Sequence, residues 1–446
     1  MANDNGYSRR SFLKNALVGA SMVTLPAWFT SKAEAAEAET FLRRPKRIGP
    51  NDTLNFAVIG PGGSRGGFRQ GLGVSRYIHD QEGAHFVAAC DVDGQHLQEA
   101  ADTFGTDTRK YGDYREMLAK EDLDAVVIGT PDHWHSAISI AAMYAGLDVY
   151  CEKPMTLTIN QGREVSWAAT RNRAIFQTGS QQRSNGRFRL ACELVRNGRI
   201  GKLNKVVTHL PTGPTGGPFE SLPVPHDLDF NMWLGPAPEN PYCKERVHGD
   251  FRWWLDHSGG MLTDWGAHHN DIAQWGIGAD GSGPMSVYGS AMMPSGISQF
   301  HYTTFPEYDL FYEYPNDVVL HCTNQGENGV TFEGDDGWIF VSRGRIGASD
   351  QALIDEPLPD DAERLYVSNG HALNFLDCIR TRHLTICTAE IGHRSVTVCH
   401  MANICLRLGG RKLNWDAENE QFIGDGEANS MLDREPRDWE RFPHAR

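Results

Sequence analysis

The chain has 446 residues, of which 40% are hydrophobic and 22% charged, a balance that suits a globular protein of two domains. A formal charge of −15 and a pI near 5.6 argue against nucleic acid or an anionic membrane surface as partner. Nine cysteines with no C-x-x-C pair argue against a disulfide scaffold or a structural zinc site, and those in apolar runs (Cys90, Cys192, Cys399, Cys405) read as small core residues.

Residues 1–38 read as an export signal. Ser8-Arg9-Arg10-Ser11-Phe12-Leu13-Lys14 is a twin-arginine pattern, followed by an apolar stretch from Ala16 to Phe29. Ala33-Glu34-Ala35 and Ala36-Glu37-Ala38 are cleavage candidates, and the apolar stretch is too short to span a bilayer. The expectation is a periplasmic protein delivered by the twin-arginine translocase. That route carries folded proteins, which makes a tightly retained cofactor a natural companion. It also accounts for a periplasmic protein that does not depend on disulfides. Residues 39–52 form an arm leading into the fold.

Residues 53–173 alternate strands and helices. Leu54 to Ile59 is a first strand, Gly60-Pro61-Gly62-Gly63-Ser64-Arg65-Gly66-Gly67 a glycine-rich turn, and a helix follows from about Phe68. Strand, glycine turn and helix is the setting of a dinucleotide fingerprint, in which backbone N–H groups approach a pyrophosphate. Gly60 and Gly62 fit the pattern, with Gly63, Ser64 and Arg65 inside the expected cradle. The third glycine is expected at position 65, where Arg65 stands. A second strand, Ala84 to Cys90, ends at Asp91, whose carboxylate can accept hydrogen bonds from an adenosine ribose. Asp91 without an adjacent arginine favours NAD over NADP, and Asp93 is a weaker candidate for the same role. A third buried strand, Ala125 to Gly129, ends in Thr130-Pro131-Asp132-His133-Trp134-His135. These six residues read as a loop beside the cofactor, with a helix over 136–146. The His133/His135 pair lacks the further ligands that a metal needs, so no metal is expected. Leu147 to Cys151 is a short buried strand, and Glu152-Lys153-Pro154 stands at its carboxyl end, where open α/β sheets bind ligands.

Residues 174–446 read differently. Longer strands, from Ala174–Thr178 and Leu203–Leu210 through Gly337–Val341, point to one large, mainly antiparallel sheet with helices on one face. Pro211 to Pro225 reads as an insertion loop. In Ser258-Gly259-Gly260-Met261-Leu262-Thr263-Asp264-Trp265-Gly266-Ala267-His268, Asp264 and His268 are spaced by one helical turn. On a continuous helix they share a face, and a histidine oriented by a carboxylate is a competent general base.

The glycine turn, Glu152-Lys153-Pro154 and Asp264-x-x-x-His268 together resemble the Gfo/Idh/MocA oxidoreductase family, in its exported branch. The resemblance runs from about Asn55 to Trp415 and takes in Ile391-Gly392-His393-Arg394-Ser395. It implies a Rossmann dinucleotide-binding domain followed by an open-faced α/β domain, with the site between them. It implies that Lys153 contacts the nicotinamide and a substrate hydroxyl, that Asp264 binds substrate and that His268 is the acid/base. Thr130, Pro131 and His135 would flank the cofactor, and Gln181 and Arg183 would stand near the cleft. The implied activity is NAD-dependent oxidation of a sugar, polyol or glycoside hydroxyl by a homo-dimer or tetramer. Two alternatives are an NAD-dependent glycosidase with no net redox change and a non-catalytic sugar-binding protein.

Overall fold

The computed structural model describes residue 49, residues 52–293 and residues 297–437. The expected export signal lies outside the described residues, as does most of the arm at 39–52.

The first layer is a parallel sheet of β1 (Leu54–Ile59), β2 (Ala84–Cys90), β3 (Arg109–Tyr111), β4 (Ala125–Ile128), β5 (Asp148–Cys151) and β6 (Phe176–Thr178), in the order β3-β2-β1-β4-β5-β6. Helices α1 (Gln70–His79), α2 (Gly94–Phe104), α3 (Tyr114–Lys120), α4 (Asp132–Tyr144) and α5 (Ile159–Asn172) connect the strands. β4 and β5 are buried at every position, as expected of parallel strands covered on both faces. The order reverses between β1 and β4, so the crevice of the sheet opens at their carboxyl ends.

The second layer is a nine-stranded sheet. Its strands are β7 (Leu203–His209), β8 (Ser286–Met292), β9 (Glu307–Glu313), β10 (Val319–Thr323), β11 (Gly329–Gly334), β12 (Gly337–Val341), β13 (Ile346–Ala348), β14 (Leu413–Asp416) and β15 (Gln421–Phe422). They run in the order β13-β12-β11-β7-β10-β9-β8-β14-β15. Only β7 and β10 pair in parallel among them. Helices α6 (Gly186–Arg196), α7 (Gly266–Ile277) and α9 (Ala389–Arg407) cover one face with Phe188, Ile272, Val398 and Met401, against Leu310 and Tyr312 of β9. On the other face Tyr288, Phe311 and His321 stack in a row, partly open to solvent. All nine cysteines are buried and unpaired, as their apolar settings predict.

Two expectations about elements are corrected. Ala174–Thr178 does not open the second sheet: β6 pairs parallel with β5 and completes the first. A fully buried three-residue strand has no alternation to reveal which sheet it joins. Helix α8 (His371–Thr381) then returns to the first layer and buries Phe375, Leu376 and Ile379 against Phe56, Phe86 and Tyr150. The Rossmann unit therefore borrows a helix from far along the chain. Finally, the residues read as a loop, Asp132 to His135, form the first turn of α4.

The layers are joined at α5 by Arg163. Its guanidinium donates to Glu390 at 2.6 and 2.9 Å and to Glu420 at 2.9 and 2.7 Å. Burial alone would raise the Glu390 carboxyl, but hydrogen bonds from Arg163, Ser166 and Arg394 outweigh it and hold the pKa at about 2. A carboxyl depressed on folding stabilises above its unfolded value, and that contribution is lost as pH falls through the folded one. We therefore expect the thermal midpoint to drop between about pH 4.5 and about pH 2. Glu390→Gln should flatten that part of the profile, as read by differential scanning fluorimetry. An identical profile in the variant would remove Glu390 from the account.

Candidate active site

The glycine turn leaves β1 with Gly60 at φ +70° and Gly62 at φ +69°, a backbone that side chains rarely adopt. A Cβ on Gly60 would stand 2.7 Å from the Thr130 backbone, and one on Gly71 only 2.5 Å from the Gly60 carbonyl oxygen. A Cβ on Gly129 would meet the Gly71 Cα at 2.6 Å. Gly71, in the first turn of α1, thus does the close helix–strand packing assigned to the third glycine of the fingerprint. Arg65 is released from that duty. Its guanidinium donates to Asp93 at 2.9 Å and to both oxygens of Asp227 at 3.0 and 2.6 Å. The cradle expected of Gly63 and Ser64 is corrected as well: the Gly63 N–H donates to the Phe68 carbonyl at 3.0 Å, and the Ser64 N–H to Glu99 at 2.8 Å.

Two adjoining cavities follow the carboxyl ends of the strands and share Phe68, Gly129, Thr130 and Phe251. The first contains Gly60, Gly62, Asp91 and Pro131. Asp91 stands at the end of β2 as expected, and its Oδ1 accepts the Asp93 N–H at 2.9 Å. Asp93 is committed elsewhere, capping α2 through the N–H groups of Gln95 and His96. The second cavity contains His135, Glu152, Lys153, Pro154, Gln181, Asp264 and His268. Thr130 Oγ1 and Gln181 Oε1 are buried there without a hydrogen-bond partner among the described residues. Unsatisfied polar atoms along a crevice at the carboxyl ends of the strands suit a dinucleotide.

A metal fits less well. Asp93, His96 and His248 bring ligand atoms within 4.8 Å of one another. The Arg65 guanidinium already lies against Asp93, and the His96 Nε2–H donates to the Arg65 carbonyl at 3.0 Å. A cation is thus already supplied by the protein. The His133/His135 pair diverges. His135 braces the site, its ring nitrogens 2.8 Å from the carbonyls of Pro154 and Thr130. His133, expected at the cofactor, turns away. Its Nε2 meets the Trp233 carbonyl at 2.9 Å, and its ring packs on His257.

Lys153 is fixed by its partner. Its Nζ donates to Asp264 Oδ1 at 2.5 Å and to the Asp264 carbonyl at 3.2 Å, and the Lys153–Pro154 bond is cis. Asp264 Oδ2 takes Arg252 Nη1 at 3.3 Å. Burial would raise this carboxyl, but the Lys153 and Arg252 charges overcome it and hold the pKa low. The expected Asp264–His268 pair is not formed, because the helix is interrupted at Trp265 and both carboxylate oxygens face cations. His268 instead has Nδ1 buried without a partner among the described residues. Burial, followed by the Lys153 and Arg343 charges, pushes its pKa well below the usual value and keeps the ring neutral. Glu152, buried behind Lys153, accepts from Gln70 at 3.1 Å, and burial pushes its carboxyl up.

Arg183 is a further correction. It lies away from both cavities, with Nε 2.8 Å from Asp271 and Nη2 2.8 Å from Asp280. Its side chain is 2% exposed. Conversely, the sequence reading passed over Asp132, which borders the second cavity and accepts the Ser258 hydroxyl at 2.5 Å. Burial, against that hydrogen bond and the Lys153 charge, pushes its pKa up to about 7. Its place in the short segment that follows a buried strand was the available signal. Arg252, Trp265 and Arg343 also border this cavity.

Residues 54–180 match the profile described as oxidoreductase family, NAD-binding Rossmann fold. Residues 215–441 match the oxidoreductase family, C-terminal alpha/beta domain. Glycosyl hydrolase family 109 protein 2 of Shewanella sp. (strain ANA-3) is 32% identical over 220 residues, covering 45% of each chain. Inositol 2-dehydrogenase of Salmonella typhimurium is 27% identical over 175 residues, 36% of this chain and 50% of that one. The chain thus spans about half the length of these curated relatives. The WlbA dehydrogenase of Bordetella pertussis, solved with NADH and UDP-GlcNAcA, superposes with a TM-score of 0.59 at 19% identity. That match covers 82% of this chain and 99% of that one, a likeness of fold. With both profiles matched in order, and with the lysine, aspartate and histidine they enclose converging on one cavity, the chain belongs to the Gfo/Idh/MocA oxidoreductase family.

Proposed function

We propose that the protein oxidises a hydroxyl group of a sugar, polyol or glycoside. The observation that carries this is the Lys153 ammonium clamped on Asp264, bordering the same cavity as a neutral His268 whose Nδ1 has no partner among the described residues. NAD, when bound, supplies the hydride acceptor. His268 takes the substrate hydroxyl proton, and its neutral state at physiological pH leaves it ready to do so. Lys153 donates to the same oxygen and stabilises the negative charge that develops there. Asp264 holds the ammonium in place, and Thr130 and Gln181 offer polar atoms to the carboxamide end of the cofactor. The twin-arginine pattern supports a periplasmic location, where a cofactor carried in with the folded protein would be reused.

A second reading is favoured by Asp132. A redox-neutral glycosidase needs another proton-transfer group, because oxidation acidifies a neighbouring C–H that must be deprotonated before the glycosidic bond breaks. Asp132, with a pKa of about 7, borders the cavity of Lys153 and His268. The similarity to a protein named for glycosyl hydrolase family 109 points the same way. Sugars and aryl glycosides tested against the NAD-loaded protein separate the readings. Net oxidation of a sugar, seen as NADH absorbance or as reduction of a second sugar, marks the oxidoreductase, and aglycone release with neither marks the glycosidase. In either case His268→Ala should lower turnover by about 10²-fold or more with little change in nucleotide binding. Unchanged turnover would remove His268 from the role.

A further inference from the structure

The outer wall of the first cavity is not made by the Rossmann unit. Leu228, Met232, Trp233, His248 and Phe251 close it from the second domain. The segment carrying Leu228 is stitched to the loop after β2. The Gly94 N–H donates to the Asp227 carbonyl at 2.8 Å, and the Asp229 N–H to the Val92 carbonyl at 3.0 Å, so Leu228 bridges Asp93 as an added antiparallel residue. This stitch lies beside Asp91, the ribose ligand expected of the fold. The turn itself is covered in turn by His248, whose backbone is left-handed at φ +55°. A Cβ on Gly66 would stand 2.4 Å from that of His248, and the His248 ring lies edge-on to His96 at 4.8 Å. A non-glycine residue held in this conformation is over-determined by its surroundings. From His248 the roof runs toward the catalytic lysine. Arg252 lies over the Phe68 ring at 4.6 Å and reaches Asp264 at 3.3 Å.

One ion pair fastens this roof to the glycine turn: the two-pronged contact of Arg65 with Asp227. It replaces the glycine of the usual fingerprint by a side chain with a different task. We infer that residues 225–233 and His248 form a strap that encloses the adenosine end of the cofactor, and that Arg65–Asp227 is its latch. The inference rests on the reading of the first cavity as the adenosine site. Its consequence is that nicotinamide exchange is slow compared with turnover. Hydride taken from a carbinol carbon is then returned within the same site to a carbonyl carbon, whose oxygen receives the proton held by His268. The carbonyl compound, a second sugar or the first one after rearrangement, is the oxidant that closes the cycle.

The test is the rate at which NADH leaves the full chain. Protein loaded with NADH is mixed with excess NAD, and the loss of bound NADH fluorescence is followed in time. Asp227→Asn weakens a charge-assisted contact and should speed release about tenfold. Both partners are partly open to solvent, their side chains 27% exposed, so release from the unaltered protein should also accelerate with added salt. Asp227→Asn should lose much of that salt dependence. Release at the unaltered rate in the variant, or a salt-independent rate in the parent, overturns the latch. If NADH does not bind even when offered in excess, the cofactor reading of the cavity fails and takes the strap with it. That outcome is distinct from fast release of a ligand that binds.

Discussion

Lys153→Met is expected to reduce hydride transfer by at least about 10²–10³-fold, the scale seen when a preorganised charge is removed from a developing oxyanion. The substitution keeps the length and apolar stem of the side chain, so the strand end and the Pro154 turn can be retained. What disappears is the ammonium between Asp264 and the substrate oxygen. Asp264 would keep Arg252 at 3.3 Å as its remaining cation, which limits the collapse of the site. The loss should therefore appear in the chemical step, with a primary deuterium isotope effect on a carbinol-labelled sugar at least as large as in the parent. Stopped-flow measurement of NADH formation in a single turnover checks this directly. Parent-like single-turnover rates would remove Lys153 from the centre of the mechanism, whichever sugar is the substrate.

The same residues show why the sequence was readable to one depth and not beyond. Strand β1 and the glycines after it are legible because β1 is apolar at every position but Asn55 and a φ near +70° is written as glycine. The packing glycine was not legible. A short turn at Arg65–Gly67 delays the helix, so the glycine that touches the Gly60 carbonyl is Gly71 rather than a residue at the customary spacing. Asp264 and His268 border one cavity, but the partnership that their spacing suggests is not formed. Spacing assumes a continuous helix, and the interruption at Trp265 turns the carboxylate toward Lys153 and Arg252 instead. The lysine that this carboxylate meets lies 111 positions away, and no local pattern carries that information. Asp132 was missed for a related reason. A Thr-Pro-Asp after a strand reads equally as a loop and as the start of a helix, and only burial beside Ser258 gives the carboxyl its character.

Arg183 gives the second large effect, and it concerns stability rather than catalysis. Arg183 closely follows Gln181, which does face the second cavity, and the family resemblance implied that both stand near the cleft. The 3-10 turn over Gln181–Ser184 sends the two side chains in different directions. The Arg183 guanidinium enters the second domain, donates to Asp271 and Asp280 and lies 5.1 Å from the Trp275 ring. Asp271 is fully buried on α7, the helix that also carries His268. Removing the arginine strands a carboxylate with no access to water, which costs about 3–5 kcal/mol when one partner of a buried pair is deleted. Arg183→Met should therefore lower unfolding free energy by about that amount in urea, while nucleotide release and KM of the folded protein stay close to the parent. Combining it with Asp271→Leu removes the stranded charge and should recover a substantial part of the loss, since replacing both members of a buried pair by apolar groups is often neutral or stabilising. A substrate-binding arginine would behave in the opposite way: stability would be little changed, KM would rise, and the second substitution would restore nothing.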